Sequence, residues 1–134
     1  MMDTDEKHGK IPFDNLTEAL INAVPALKPQ YEAELHWWSE EKPGVHIIFG
    51  DILTPYIVTL LESNAQEAML QHIFAFLEHL ANQQDLHVQE VVAVSVCERL
   101  GDKPEWLAKA RTYMGPATRH LSQEIEAFWG RENR

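Results

Sequence analysis

Leu86-His87-Val88-Gln89-Glu90-Val91-Val92-Ala93-Val94-Ser95-Val96-Cys97-Glu98-Arg99-Leu100 is the most apolar stretch of this chain and the one whose reading decides the fold. Its four valines between 91 and 96 argue for a strand, since β-branched side chains suit a pleated surface. Its length, and the helical patterns on either side, argue for a buried central helix. The helical reading prevails. Gly101 supplies a stop, and a start falls near Gln84 or Leu86.

Working outward, Met69, Leu70, Ile73, Phe74, Leu77, Leu80 and Ala81 recur at i, i+3 and i+4, which predicts a helix over 66–82. With 84–100 it forms one helical hairpin of repeat size. Upstream, Thr54-Pro55 reads as N-cap and first position of another helix, with Leu53, Tyr56, Ile57, Leu60 and Leu61 as its stripe. Val45–Gly50 reads as an apolar connector whose Ile47, Ile48 and Phe49 plug the core. Pro29 suits the first turn of a helix running to about Glu41, broken by Pro43-Gly44. Asn15-Leu16-Thr17-Glu18 has capping-box spacing and opens a first helix, which Pro25 closes.

Downstream, Asp102 and Pro104 start a sixth helix ending at Gly115. Pro116 starts a seventh that carries Leu121, Ile125, Phe128 and Trp129 on one face and stops at Gly130. The sum is one all-α domain over residues 13–130: about seven short helices in antiparallel pairs, stacked in the manner of HEAT repeats or as an irregular bundle. Residues 1–12 read as a disordered tail.

Charge narrows the function classes. The 134 residues carry a formal net charge of -10. Residues 14–67 hold nine acids and two bases, and between Lys42 and Arg99 there is no lysine or arginine at all. A field concentrated in this way repels nucleic acid and anionic membranes and steers basic partners inward. The N-terminus lacks the apolar core of a secretory signal, no stretch approaches the length of a membrane span, and the single cysteine, Cys97, excludes a disulfide framework. A cytoplasmic protein is the expectation, with no nucleic acid and no membrane among its partners.

Catalytic and metal signatures are sparse. His72 and His79 lie two turns apart, too far to share an ion, and neither Glu-x-x-His nor His-Glu-x-x-His occurs. Cys97 sits in the most apolar helix, where cysteine behaves as a small hydrophobe. No phosphate-cradling glycine loop is present. The expectation is no cofactor, no metal and no catalysis. The Tyr113-Met114-Gly115-Pro116 corner reads as a joint between helices.

The second helix is more informative. With Tyr31 as reference, Leu35 and Trp38 fall within about 40° and form a core stripe, whereas Trp37 lies about 120° away beside Glu34 and Glu41. A tryptophan ringed by acids suits a protein-binding anchor. The alternative is that it tucks beneath the Pro43–Gly50 connector, and the sequence leaves the two even. The candidate partner-binding residues are Glu34, Trp37, Glu40, Glu41 and Asp51.

Several strings taken together resemble a known family. They are Tyr31…Glu34-Leu35…Trp37-Trp38, His46-Ile47-Ile48-Phe49-Gly50-Asp51, Phe76-Leu77-Glu78…Leu80-Ala81, Leu100-Gly101-Asp102, Tyr113-Met114-Gly115-Pro116 and Phe128-Trp129. Over residues 15–130 the chain resembles small acidic all-α bacterial proteins that look like immunity proteins of polymorphic-toxin and contact-dependent growth inhibition systems. The resemblance implies a helical domain that binds a cognate toxin, a basic nuclease-type domain, and blocks it. It carries over no defined site residues. The rival is a non-catalytic helical adaptor or regulatory protein for another basic host protein.

Overall fold

The computed structural model describes residues 10–38 and 41–131. Among them lie seven helices and no strand: α1 (Leu16–Ala23), α2 (Lys28–Trp38), α3 (Val45–Ser63), α4 (Glu67–Ala81), α5 (86–100), α6 (Pro104–Arg111) and α7 (Pro116–Phe128). Two 3-10 turns, Phe13–Asn15 and Pro25–Leu27, lead into α1 and α2. The valine-rich stretch is helical, so its burial, not its β-propensity, decided its conformation. Val88, Val91, Val92, Val96, Cys97 and Leu100 are buried.

Helix α5 is the hub. It packs against α3, α4, α6 and α7, and α7 also packs on α4. Three consecutive residues, Ser95, Val96 and Cys97, are all buried, because α5 is covered on more than one side. The helices are gathered round this hub as a bundle.

Two of the boundaries differ from the pattern of the sequence. Helix α3 begins at Val45, so the apolar connector is its first half and Thr54-Pro55 lies inside it. It is 19 residues long, with a mean hydropathy of 1.4, and by length and composition alone it could cross a membrane. The expectation that no stretch reaches that length is thereby corrected. Ile48, Phe49, Leu53 and Ile57 along it are wholly buried in the bundle, which is the placement of a core helix. Helix α2 ends at Trp38, short of Glu41, and contributes no buried residue.

Proline inside α3 is tolerated because the helix widens there. Phe49–Leu53 is π-helical, closed by the Thr54 N–H donating to the Phe49 carbonyl five residues back. Pro55 brings no N–H to donate to the Gly50 carbonyl, and Arg99 Nη1 of α5 donates to that carbonyl instead, at 2.7 Å. Helix α5 is π-helical opposite, over Val91–Cys97, and these two segments pack on each other. The buried Thr54 hydroxyl joins them. It donates to Phe49 O (2.9 Å) and Ser95 O (2.8 Å).

The ends of the helices are set by particular contacts. Asn15 makes no side-chain cap to α1, because the 3-10 turn carries the chain into the helix. Asp85 Oδ1 accepts from the His87 N–H and caps α5. Asn64 ends α3 in the left-handed conformation (φ 59°). Gly101 ends α5 with an ordinary right-handed φ of -76°. Its lack of a side chain serves close approach: a Cβ there would collide with Glu126 Oε2. That carboxylate is buried under α5 and accepts from Arg131 Nη2 at 2.7 Å, while Arg131 also donates to Glu98 O and Asp102. At the other end, Ile11 is held to Gln83 by two hydrogen bonds, Ile11 N–H to Gln83 Oε1 and Gln83 Nε2 to Ile11 O. The tail expected over 1–12 therefore lies outside the described residues only as far as residue 9, and its last part is anchored.

Thr54→Val removes the hydroxyl while keeping the shape and takes away the side-chain donor that joins Phe49 O and Ser95 O across the seam. It is expected to destabilise by about 1–3 kcal/mol, with Thr54→Ser much closer to the parent; urea unfolding midpoints measure both. Gly101→Ala forces the Glu126–Arg131 pair apart and is expected to cost about 1–3 kcal/mol, read as a fall in thermal midpoint.

Candidate functional site

The sequence places its candidate site on α2 and the segment after it. Trp37 is 84 % exposed. It does not tuck beneath the segment that follows α2, and of the two readings left open by the sequence the exposed one holds. Most of its apolar ring faces water. Tyr31, Leu35 and Trp38, the expected core stripe, are half-buried, because α2 lies on the periphery and packs chiefly on the turn that precedes it.

The acids around Trp37 are arranged differently from a simple ring. Glu34 is half-buried and its Oε2 accepts from Trp38 Nε1 at 2.9 Å. Its charge is thus held next to the neighbouring tryptophan one turn along. Glu41 is exposed but lies past the helix end, tied back by its N–H to Trp38 O at 3.1 Å. Its assignment to the Trp37 face rested on helical geometry at Glu41, and Glu41 is in a bend. Glu40 lies outside the described residues. Asp51 sits on α3 in a 2.8 Å ion pair with Arg99, so it serves the joint between α3 and α5. The structure therefore groups Glu34 and Trp37 on one helix and separates Asp51 from them.

The base-free stretch from 42 to 99 contains carboxylates that are busy elsewhere. Glu62 accepts from Trp106 Nε1 at 2.9 Å. Glu78 reaches the start of α7, accepting from the Ala117 and Thr118 N–H groups at 2.9 Å each and from the Thr118 hydroxyl at 2.8 Å. Burial pushes the Glu78 carboxyl up, but the donors from Thr118 and Ala117 outweigh it and hold it below its ordinary 4.5. Gly115 makes room for this cap, since a Cβ would collide with Glu78 Cδ. The 113–116 corner is indeed a joint. Met114 is buried and the Tyr113 ring stacks on Phe74 at 6.1 Å.

Cys97 is fully buried. Burial pushes its thiol up to about 12, with Arg111 drawing it partly down and Glu126 adding to the rise. A thiol held protonated is a poor nucleophile. His46 Nδ1 lies 2.7 Å from Ser95 Oγ, and His72 Nε2 lies 2.6 Å from the Ala23 carbonyl. Both pairs bridge helices. Among the described residues no group of three potential ligands stands together.

One exposed feature escaped the sequence reading. Phe128 is 74 % and Trp129 54 % exposed, with rings edge-to-face at 5.2 Å. The sequence places them on one face of α7 with Leu121 and Ile125, which are half-buried. The most buried row of α7 is instead Thr118, Ser122 and Glu126, spaced i, i+4, i+8 and satisfied by Glu78, Arg111 and Arg131. The signal was present as that polar row, but an apolar pattern is the usual guide to a buried face.

A family model described as a domain of unknown function (DUF7674) matches residues 17–130. The chain belongs to that family. The match spans α1 to α7, so the bundle described here is the family's domain. No curated protein and no solved structure matches.

Glu78→Gln is expected to cost about 1–2 kcal/mol at neutral pH through loss of the charged cap. Because the folded-state carboxyl is held below its ordinary value, its contribution is complete above 4.5 and fades as pH falls through the lowered value. The gap between Glu78→Gln and parent in urea unfolding should therefore close under acid conditions.

Proposed function

We propose that this chain is a non-catalytic immunity protein that binds a cognate bacterial toxin, a basic nuclease-type domain, and neutralises it by covering its working surface in the cytoplasm. The single observation that carries the reading is Trp37, a fully presented indole on a peripheral helix that also bears Glu32 and Glu34. A desolvated aromatic near the centre of an interface supplies affinity, and carboxylates around it supply orientation and a fast approach to a basic partner. The exposed side chains of α2, Glu32 and Trp37 among them, are free to vary without disturbing the bundle, as a protein matched to one partner requires. The choice of a toxin as that partner rests on the sequence resemblance to immunity proteins.

Co-expression with the product of the adjacent upstream gene tests the identity of the partner. A stoichiometric complex with the C-terminal domain of a large protein, and protection of cells that express that domain, is the expected result. A complex with a host protein unrelated to any toxin would favour the adaptor reading. Trp37→Ala is expected to weaken the complex by roughly 30-fold or more with helicity unchanged by circular dichroism. Unchanged affinity would remove Trp37 from the interface.

A further inference from the structure

A second surface on the acidic half is shaped to receive part of a partner. Phe13 of the first 3-10 turn and Thr17 and Ile21 of α1 form a half-buried row along one side of a cleft. Tyr31 of α2 and Val45 at the start of α3 face this row across an open cleft of about 620 Å³. Within α1, Thr17 and Ile21 are four residues apart, about 6 Å along the helix axis at 1.5 Å per residue. Beside it runs a parallel, exposed row, Asp14, Glu18 and Asn22, which puts two carboxylates along one lip. Among the described residues Lys42 is the single base lining the cleft.

We infer that this cleft is a docking groove for a short basic amphipathic helix of the partner protein, with apolar side chains on the Phe13–Ile21 row and Lys or Arg side chains against Asp14 and Glu18. The inference rests on the reading of the chain as a partner-binding domain. Two features select this occupant. The apolar side chains of Phe13, Ile21, Tyr31 and Val45 line the cleft with Asp14 and Glu18 beside them on one lip, which is the complement of a helix with one apolar face and a charged border. The sign of that lip, within a stretch of nine acids and two bases over 14–67, selects a cationic border. The groove and Trp37 lie on different directions of α2: Tyr31 points to the cleft and Trp37 about 120° away. They are therefore two contacts that can be removed separately.

The probe is a stapled leucine–lysine helix of three turns, compared with the same helix carrying glutamate for lysine, each titrated into the full isotope-labelled chain. Shift changes at Thr17, Ile21 and Val45 with the lysine peptide, and at least tenfold weaker binding of the glutamate peptide, are the expected result. Asp14→Lys with Glu18→Lys, both exposed and so compatible with folding, should reverse the preference. Equal binding of the two peptides, shifts confined to the Trp37 side of α2, or no shifts at all would overturn the groove. The same double variant tested against the copurified partner separates the two proposals. A partner that still binds at parental affinity to the charge-reversed groove, and loses it on Trp37→Ala, leaves the immunity reading standing without this groove.

Discussion

Everything in this bundle is hung on the seam between α3 and α5, and the seam is held by groups that a helix ordinarily keeps for itself. Both helices widen to π geometry where they meet. A widened turn presents its carbonyls less regularly to its own N–H groups, and π-turns persist where something else compensates. Here the Thr54 hydroxyl bridges Phe49 O and Ser95 O, and Arg99 serves Gly50 O. Arg99 also takes Asp51, so one guanidinium closes the backbone gap opposite Pro55 and neutralises the nearest acid. A proline in mid-helix, a buried threonine and the first base after Lys42 are thus parts of one arrangement.

The same logic orders α7. Its buried row is polar, and each member meets a charged partner from another element: Thr118 meets Glu78 of α4, Ser122 meets Arg111 of α6, and Glu126 meets Arg131 beyond the helix. Buried polar groups of this kind cost stability unless they are satisfied together. They fix which way round α7 sits on α4 and α5 in a way that an apolar stripe of similar width could not. Gly101 and Gly115 are the clearances that let the two carboxylates reach their donors.

These features explain what was legible in the sequence. The all-α class, the hairpin of α4 and α5, the burial of Cys97 and the joint at 113–116 follow from apolar spacing and punctuation. That information is local and is carried by Met69–Ala81 and by Pro116. The start of α3 was not legible. Thr54-Pro55 has the composition of a helix start, and only the distant Arg99 and Ser95 allow it to lie inside one. The exposure of Phe128 and Trp129 was not legible for a related reason. The row that turns inward is polar, and its partners come from 40, 11 and 5 residues away. On α2 the off-stripe position of Trp37 was readable from helical geometry, but Glu41 and Asp51 were joined to it by charge alone. One lies beyond the helix end and the other is bound to Arg99.

That distinction bears on how the acidity of this chain should be understood. The absence of bases from 42 to 99 suggested an open negative face. In the fold, Asp51, Glu62, Glu78 and Asp85 from that stretch each take a defined donor, and a carboxylate committed in this way contributes less to a field that steers a partner. The charge left to present outward comprises exposed Glu67 and Glu90 of that stretch together with exposed Asp14, Glu18 and Glu32 nearer the N-terminus. Helix α2 has no fully buried side chain and rests Tyr31 against the core, and α1 lends Leu16 and Leu20 from the side away from its acidic row. Folding and recognition are therefore carried by different side chains. The α3–α5 seam and the polar row of α7 hold the bundle, while Trp37 and the acidic rows of α1 and α2 can change with a partner at little cost to stability.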